Sequence, residues 1–330
     1  MKSYKLTKHL SQLGVICLLY ITAIQIVHAQ ANYPDRPVRV IVGFQAGAST
    51  DTLARVLSQH LSLRLKQQFV VENKPGAATR IAMETLSKAT PDGYTLAVAN
   101  AVTATFPIMF PGMEFEPGKQ FVPITMLGRA PSFITIKASL PVKTYKEFAE
   151  YSKDKKLAFG HPGNGTNPQI AGLALAQAMG TTVIDVPYKG NQPVAAALKT
   201  GDIDFAMLEY QSVAPLLANS AVRLLAVTEP KRFPTQPDVP TGREVGVTPE
   251  IEGLTPWFVL MAPAGTPQPI VERLNKELRE ILQLPDVKER LANIGVETEF
   301  TSSAEASAYF LAHRKKINSL LKKLNLSITN

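Results

Sequence analysis

The sequence predicts an α/β protein, and three observations lead to that prediction. Short β-branched runs alternate along the chain with segments whose apolar residues recur at helical spacing. Hydrophobic content is ordinary and charge is mixed along the chain, which excludes low-complexity disorder. The 330 residues, 45% of them hydrophobic, are enough for two domains that each bury a core. Alternation of this kind is typical of mostly parallel sheets covered by helices.

The predicted strands are short apolar runs. In chain order they occupy residues 37–42, 69–71, 94–98, 133–136, 157–159, 183–186, 203–208, 224–227 and 258–260. After the first strand, an apolar face at helical spacing predicts a helix, with Leu53, Val56, Leu57, His60, Leu61 and Leu65 on that face. A second clear helix follows residues 266–269, and its apolar face is Ile270, Val271, Leu274, Leu278 and Ile281.

The first 29 residues read as a signal peptide. Lys2, Lys5 and Lys8 form a positive segment, an apolar run follows over residues 10–27, and Ala29 ends a plausible cleavage motif. A retained membrane anchor is the alternative, but the run is short and carries polar residues, whereas a span needs roughly 20 mostly apolar residues. We therefore expect export with cleavage after Ala29, so that part of the formal charge of +8 belongs to the export signal.

The residue inventory argues against a metal site or a covalent crosslink. Cys17 is the only cysteine, so neither an internal disulfide nor a cysteine-based zinc site can form. No H-E-x-x-H helix, G-x-S-x-G elbow or paired metal-ligand cluster is present. We expect no metal and no cofactor. The basic clusters near the C-terminus lie on a helical pattern and lack interleaved aromatic residues, so we expect no nucleic-acid partner.

Two glycine-bearing loops share one layout, in which a strand leads through a small loop into a helix. The first spans residues 42–51, where Ser49 or Thr50 can cap the following helix. The second spans residues 159–169, where Thr166 or Asn167 can cap and Pro168 suits the first turn. A helix N-terminus presents unpaired N–H groups and partial positive charge, so each loop can bind a carboxylate or a phosphate. The alternative is that both loops are simple connections, and neither matches a dinucleotide or P-loop motif.

A series of short motifs in fixed order resembles one family. They cover residues 33–37, 44–51, 70–77, 91–96, 186–190, 237–241 and 262–267, nearly the whole chain after the signal peptide. The chain resembles the periplasmic solute receptors of tripartite tricarboxylate transporters, often called the Bug family. The resemblance implies a type II-like periplasmic-binding-protein fold, with two α/β domains joined by crossover strands and a ligand cleft between them. The implied domains are residues 30–131 with 250–330, and residues 132–249.

The resemblance also implies the ligand-binding residues. The first loop contributes Phe44, Ala46, Gly47, Ala48, Ser49, Thr50 and Asp51; the second contributes Asn164, Gly165, Thr166 and Asn167; Asn100 is a further candidate. The chain departs from the family pattern at several positions. The family commonly has proline at the position of Gln45, glycine at those of Ala48, Ala78 and Thr79, small residues at those of His161 and Pro162, and histidine at that of Gln169.

Two further side chains are open to two interpretations each. Glu209 follows the strand at 203–208, where it can meet an amino group on a ligand or can be an exposed loop glutamate. If it faces the cleft, it should repel a plain dicarboxylate and favour an amino-acid-like or neutral end. His161 can donate a hydrogen bond to a ligand or can be an ordinary loop residue. We include both among the candidate ligand-binding residues.

The resemblance favours a receptor over an enzyme. We expect a monomeric periplasmic protein that captures a small carboxylate, such as a mono- or dicarboxylate, an aromatic acid or an amino acid, and delivers it to a cognate inner-membrane permease. The alternative is a secreted hydrolase that uses the same cleft loops. A Ser49, His161 and Asp51 triad can be drawn, but Ser49 would then have to act as both helix cap and nucleophile.

Overall fold

The computed structural model describes residues 33–110, 112–113 and 115–325. The predicted signal peptide and Cys17 lie outside the described residues. Two mixed sheets form the framework. Across the first, the strands lie in the order of residues 297–298, 121–129, 257–263, 95–100, 38–42 and 69–73, and across the second in the order 183–187, 157–161, 205–209, 132–137 and 222–227. Among the described residues, no helix is long and apolar enough to span a bilayer.

The six-stranded sheet and the helices packed on it form what we call the first lobe. Its strands are β1 (Val38–Val42), β2 (Phe69–Asn73), β3 (Thr95–Asn100), β4 (Phe121–Arg129), β10 (Trp257–Pro263) and β11 (Glu297–Thr298). Its main helices are α1 (Ser49–Leu65), α2 (Arg80–Ser87), α9 (Gln268–Ile281) and α10 (Pro285–Ala292), with short turns α3 (Phe106–Met109) and α4 (Pro117–Gln120). The predicted apolar face of α9 is buried in full, which is worth about 1.5–3 kcal/mol for each large aliphatic side chain.

The five-stranded sheet and its helices form the second lobe. The strands are β5 (Ser132–Lys137), β6 (Leu157–His161), β7 (Val183–Pro187), β8 (Phe205–Glu209) and β9 (Val222–Val227). The helices are α5 (Tyr145–Lys153), α6 (Asn167–Ala178), α7 (Asn191–Thr200) and α8 (Tyr210–Ala218). A capping box at Thr144 and Glu147 fixes the start of α5.

The expectation of mostly parallel sheets is wrong. Strands β1, β2 and β3 pair in parallel, as do β6, β7 and β8, but the pairs that involve β4, β5 and β10 are antiparallel. The physical reason is that the chain passes between the lobes at these strands, so they enter each sheet against the direction of its βαβ units. Strand β4 was not predicted, because Pro123 and Gly128 are residues that normally interrupt a strand.

The two crossover segments lie side by side between the lobes. The Ala130 N–H donates to Pro256 O at 2.8 Å, and Thr255 Oγ1 donates to Ala130 O at 2.6 Å. Thr228 N donates to Ser132 O at 2.9 Å where the chain leaves the second sheet. Few residues connect the lobes here, which is the arrangement that permits hinge motion.

The last helix, α11 (Ser303–Lys323), packs on both lobes. Ala306 and Phe310 belong to a core cluster of the first lobe, whereas Ile317 and Leu321 belong to a core cluster of the second. The basic residues at its C-terminal end do not all lie on the solvated side: His313 is buried, and burial lowers its pKa to about 3. It contacts the edge of Trp257, with ring centroids 5.3 Å apart.

Candidate functional site

A cavity of about 520 Å³ lies between the two sheets. Its walls come from the segments that follow β1, β3, β6, β7 and β8, that is, from the carboxyl ends of the parallel strands of both lobes. Ligands of open α/β sheets bind at this edge, because the loops there are free to vary while the strands hold their ends in place. The cavity therefore has the position expected of a ligand site.

Four helices begin at the wall of this cavity. The N-cap residues of α1, α6, α7 and α8 are Ala48, Thr166, Gly190 and Glu209, and all four line the cavity. None of them caps its helix with a side-chain hydrogen bond. The unpaired N–H groups and the partial positive charge of four helix N-termini are thus directed at one space, and no lysine or arginine is among the described residues that line it.

In the first loop, the capping interaction predicted for Ser49 or Thr50 is replaced by a different one. The Gly47 N–H donates to Asp51 Oδ2 at 2.9 Å, from one position before the N-cap to the third helical residue. Arg55 Nε also donates to Asp51 Oδ2 at 2.9 Å, and Asn73 Nδ2 donates to Oδ1 at 2.8 Å. Asp51 therefore fixes the conformation of the loop through the hydrogen bond from Gly47, and the first-turn N–H groups of α1 remain without a partner among the described residues.

The second loop uses the same device with a neutral side chain. The Gly165 N–H donates to Gln169 Oε1 at 2.8 Å, and Gln169 Nε2 donates to Asp185 Oδ2 at 3.0 Å. His161 Nε2 lies 2.9 Å from the other oxygen of Asp185. Thr166 adopts the N-cap conformation, but its hydroxyl donates to Gly163 O at 2.7 Å. In both loops a side chain at the third helical position holds the backbone four residues earlier.

A hydrogen bond crosses between the lobes at the cavity wall. Ser49 Oγ, at the start of α1, donates to Gln211 Oε1, in the first turn of α8, at 2.9 Å. The side chain of Gln211 also lies against the backbone of Gly295, where an added Cβ would come within 3.1 Å of Gln211 Cβ. One side of the cavity is thus closed by contact between the lobes.

Glu209 is the only ionisable side chain among the described residues that line the cavity. Its Oε1 accepts a hydrogen bond from Asn191 Nδ2 at 2.9 Å. Burial raises the pKa of Glu209 to about 7, and the hydrogen bond from Asn191 only partly opposes that shift. The carboxyl group therefore changes its charge near neutral pH.

Comparison with known proteins identifies the family. Residues 53–326 match the model of the tripartite tricarboxylate transporter family receptor. The chain belongs to this family. It is 32% identical over 302 residues to a UPF0065 protein from the TAR-I ttuE-ttuC' intergenic region of Agrobacterium vitis, an alignment that covers 91% of this chain and 87% of that protein.

Solved structures of similar receptors have the same fold. The periplasmic binding protein BugD is 31% identical, with a TM-score of 0.73 over 90% of this chain and all of BugD. R. palustris Rpa4515 with adipate is 28% identical, with a TM-score of 0.78 over 90% of this chain and 100% of that one. MatC from Rhodopseudomonas palustris with bound malate is 29% identical, with a TM-score of 0.72 over 88% and 100%. The chain is thus a periplasmic solute-binding receptor with the two-lobed fold of these proteins.

The receptor brings most of the predicted site residues to one cavity. Nine of the predicted residues line this cavity: Phe44, Gly47, Ala48, Ser49, Thr50, Asn100, Thr166, Asn167 and Glu209. Asn164 lines a neighbouring cavity of about 360 Å³, which Phe44 and Thr166 also border. Ala46, Asp51, His161 and Gly165 line neither cavity. Of these, Asp51 and His161 are buried and support the two loops from behind.

The three residues of the conceivable hydrolase triad are not joined in the receptor. Ser49 donates to Gln211, Asp51 is engaged by Arg55 and Asn73, and His161 lies against Asp185. Within the described part of the chain, no group of three or more His, Cys, Asp and Glu residues is placed to hold a metal ion.

Sequence reasoning included Glu209, the N-cap residue of α8, but missed the start of α7 and the first turn of α8. These contribute Gly190, Asn191, Gln192, Gln211 and Ser212 to the cavity wall, and the second crossover with the start of β10 adds Pro256 and Phe258. A signal was present, because Gly190-Asn191 and Glu209-Tyr210 both follow predicted strands, as the two recognised loops do. Parallel strands end at the same edge, so every such junction was a candidate.

Proposed function

We propose that this receptor captures a small carboxylate-bearing metabolite in the cavity between its lobes and delivers it to a cognate membrane permease. The observation that carries the proposal is the convergence of four helix N-termini without side-chain caps on a cavity whose described lining residues include no cationic side chain. An anion near one helix N-terminus gains typically 0.3–1 kcal/mol, and the gain rises where water is excluded. Two of the similar structures contain adipate and malate, which are small carboxylates.

Transport requires that ligand binding change the shape of the receptor. A ligand held by α1 from the first lobe and α6 from the second interacts fully only when the lobes are together, so it shifts an open–closed equilibrium toward the closed form. We place the boundaries of the moving units at the crossovers, with residues 30–131 and 250–330 in one unit and 132–249 in the other. The closed form is the one that docks on the permease.

The remaining parts of the proposal concern processing and chemistry. The signal peptide is removed after Ala29, and the mature receptor acts as a monomer. It binds its ligand without converting it, because the Ser49 hydroxyl donates to Gln211 and no histidine that could act as its base is among the described residues that line the cavity. Incubation with the tightest ligand should therefore return that ligand unchanged, and a product would contradict the proposal.

The binding test uses Thr166, which lies at the N-terminus of α6 and is partly exposed to the cavity. Small molecules that copurify with the folded receptor are identified by mass spectrometry, and a panel of carboxylates is then screened by thermal shift. Thr166→Trp should fill the space in front of α6 and abolish ligand-induced stabilisation. Thr182→Trp, at an exposed position outside the cavity, is the matched control and should retain it.

The unliganded Thr166→Trp variant should unfold at nearly the temperature of the wild type. Ligand-induced stabilisation that survives in this variant at the wild-type level would contradict the site. Failure of every carboxylate to stabilise the wild type would contradict the function.

A further inference from the structure

The wall of the cavity is asymmetric in its charge. Backbone N–H groups of four helices supply diffuse positive potential, while Glu209 is the one ionisable side chain among the described lining residues. A plain dicarboxylate would fit a wall with positive groups at both ends. Here Glu209, the N-cap residue of α8, adds a carboxyl group to that wall, so in its ionised form the wall is complementary to a ligand with charges of both signs.

Glu209 has one oxygen engaged and one available. Asn191 Nδ2 donates to Oε1, and no described residue donates to Oε2. The side chain lines the cavity and is only partly buried, so it can be reached by a ligand inside. Its place at the end of β8, opposite Ser132 of β5, fixes where the carboxylate stands.

Among the described residues, no cationic side chain forms an ion pair with Glu209. None of the described residues that line the cavity is a lysine, an arginine or a histidine. The Asn191 amide donates to Oε1 of Glu209, and Asn191 Oδ1, an acceptor, is buried without a hydrogen-bond partner. A carboxylate that lies half-buried with no positive partner is completed by a donor or a cation from the ligand.

We propose that the ligand carries a protonated amine as well as its carboxylate, and that Glu209 binds the amine. This inference rests on the proposed function, since the carboxylate of the same ligand occupies the helix N-termini. An ammonium group has three donors and no acceptor, so one of its N–H groups can donate to the available Oε2 of Glu209. A second carboxylate in its place would stand against Glu209 as a like charge.

The test compares pairs of ligands that differ only at one end. The mature receptor is titrated by calorimetry at pH 8 with 4-aminobutanoate against succinate and 5-aminopentanoate against glutarate, and with the α-amino acids aspartate and glutamate. The amino-bearing member of at least one pair should bind about tenfold or more tightly than its dicarboxylate, which corresponds to about 1.4 kcal/mol. In Glu209→Gln this preference should fall to near unity or reverse.

Glu229→Gln is the matched control. Burial also raises the pKa of Glu229 to about 7, but this residue lies outside the cavity wall, so its loss should leave the preference unchanged. Equal or tighter binding of dicarboxylates by the wild type, or an unchanged preference in Glu209→Gln, would overturn the inference and leave the receptor function intact. If no carboxylate binds, with or without an amine, the proposed function fails as well.

Discussion

The loops before α1 and before α6 solve one structural problem with different side chains. In each, the third helical residue accepts a hydrogen bond from a glycine N–H four positions earlier, Asp51 from Gly47 and Gln169 from Gly165. Asp51 is anionic and is held by Arg55 and Asn73. Gln169 is neutral and is held through Asp185. The loop geometry thus needs an acceptor at this position, and the charge of that acceptor is left to the surroundings.

The loops differ more in what they offer a ligand. In α1, the first-turn residues Ser49, Thr50 and Asp51 all have backbone N–H groups, and none of these donates to a described residue. In α6 the second helical residue is Pro168, which has no N–H, so the first turn has one donor fewer. We infer that the first loop binds the carboxylate more strongly and that the second loop completes the enclosure.

Making the first loop like the second should have the largest effect on binding. Thr50→Pro places proline at the second helical position, where α6 already tolerates it, and removes one N–H. A hydrogen bond to a charged group is worth about 1.5–3 kcal/mol, so affinity for the carboxylate ligand should fall roughly tenfold to a hundredfold. Calorimetric titration of the mature protein measures this change.

The reciprocal variant is Pro168→Ala, which restores the missing N–H in α6 and should raise affinity or leave it unchanged. Circular dichroism and the unliganded melting temperature should show that both variants are folded. Equal losses of affinity in the two variants would show that the loops do not differ as donors.

Removing the charge of Asp51 from the first loop should lower the free energy of unfolding, and not only weaken ligand binding. Burial on its own would raise the pKa of Asp51, but the hydrogen bonds from Arg55, Gly47 and Asn73 outweigh it and hold the pKa below its ordinary value. Asp51→Asn replaces an acceptor oxygen by a donor and should lower the free energy of unfolding by about 1–3 kcal/mol in urea titrations at pH 7. Gln169→Leu, which also removes an acceptor, is the comparison in the second loop.

The pH dependence separates the two variants. A carboxylate whose pKa is lowered on folding stabilises the protein above the pKa of the unfolded chain, and that stabilisation is lost as the pH falls through the folded-state value. The difference in stability between wild type and Asp51→Asn should therefore shrink below pH 4. The Gln169→Leu difference should follow the titration of Asp185, whose pKa is also lowered, and not that of Asp51. A difference that stays constant to pH 2 for Asp51→Asn would contradict this account.

The sequence could predict some features of the fold and the site but not others. The strand–loop–helix layout and the apolar face of α9 follow from local pattern, which is why the first loop, the second loop and the buried face were predicted. The roles of Asp51 and His161 were not, because a polar residue next to a cavity can face it or support it from behind. Which of the two occurs depends on partners distant in sequence, such as Asn73 and Asp185. Strand β4 was not predicted for the same reason: its pairing with β10, which is distant in sequence, outweighs the low strand preference of Pro123 and Gly128.

The segment behind the first loop shows a further difference. Both loops take their positive φ angles at glycines, with φ 87° at Gly47 in the first and 140° at Gly163 and 75° at Gly165 in the second. The segment that backs the first loop takes them at Ala77, Ala78 and Thr79, with φ values of 45°, 49° and 74°. Thr79 also fills the space beside Gly43, where an added Cβ would lie 2.5 Å from Thr79 Cβ. Ala48, another position at which glycine is expected, has φ −67° and needs none.

Replacing a strained residue of this segment by glycine should have the smallest effect of the three changes, and the opposite sign. A left-handed conformation costs an L-residue about 1–2 kcal/mol, and glycine regains most of this while losing more entropy on folding. Ala78→Gly should therefore raise the free energy of unfolding by about 0.5–1 kcal/mol, measured by urea denaturation. Ala149→Gly, within the ordinary helix α5, is the matched control and should lower it by about 0.5–1 kcal/mol. Two variants that change stability in the same direction would show that the segment behind the first loop is not strained.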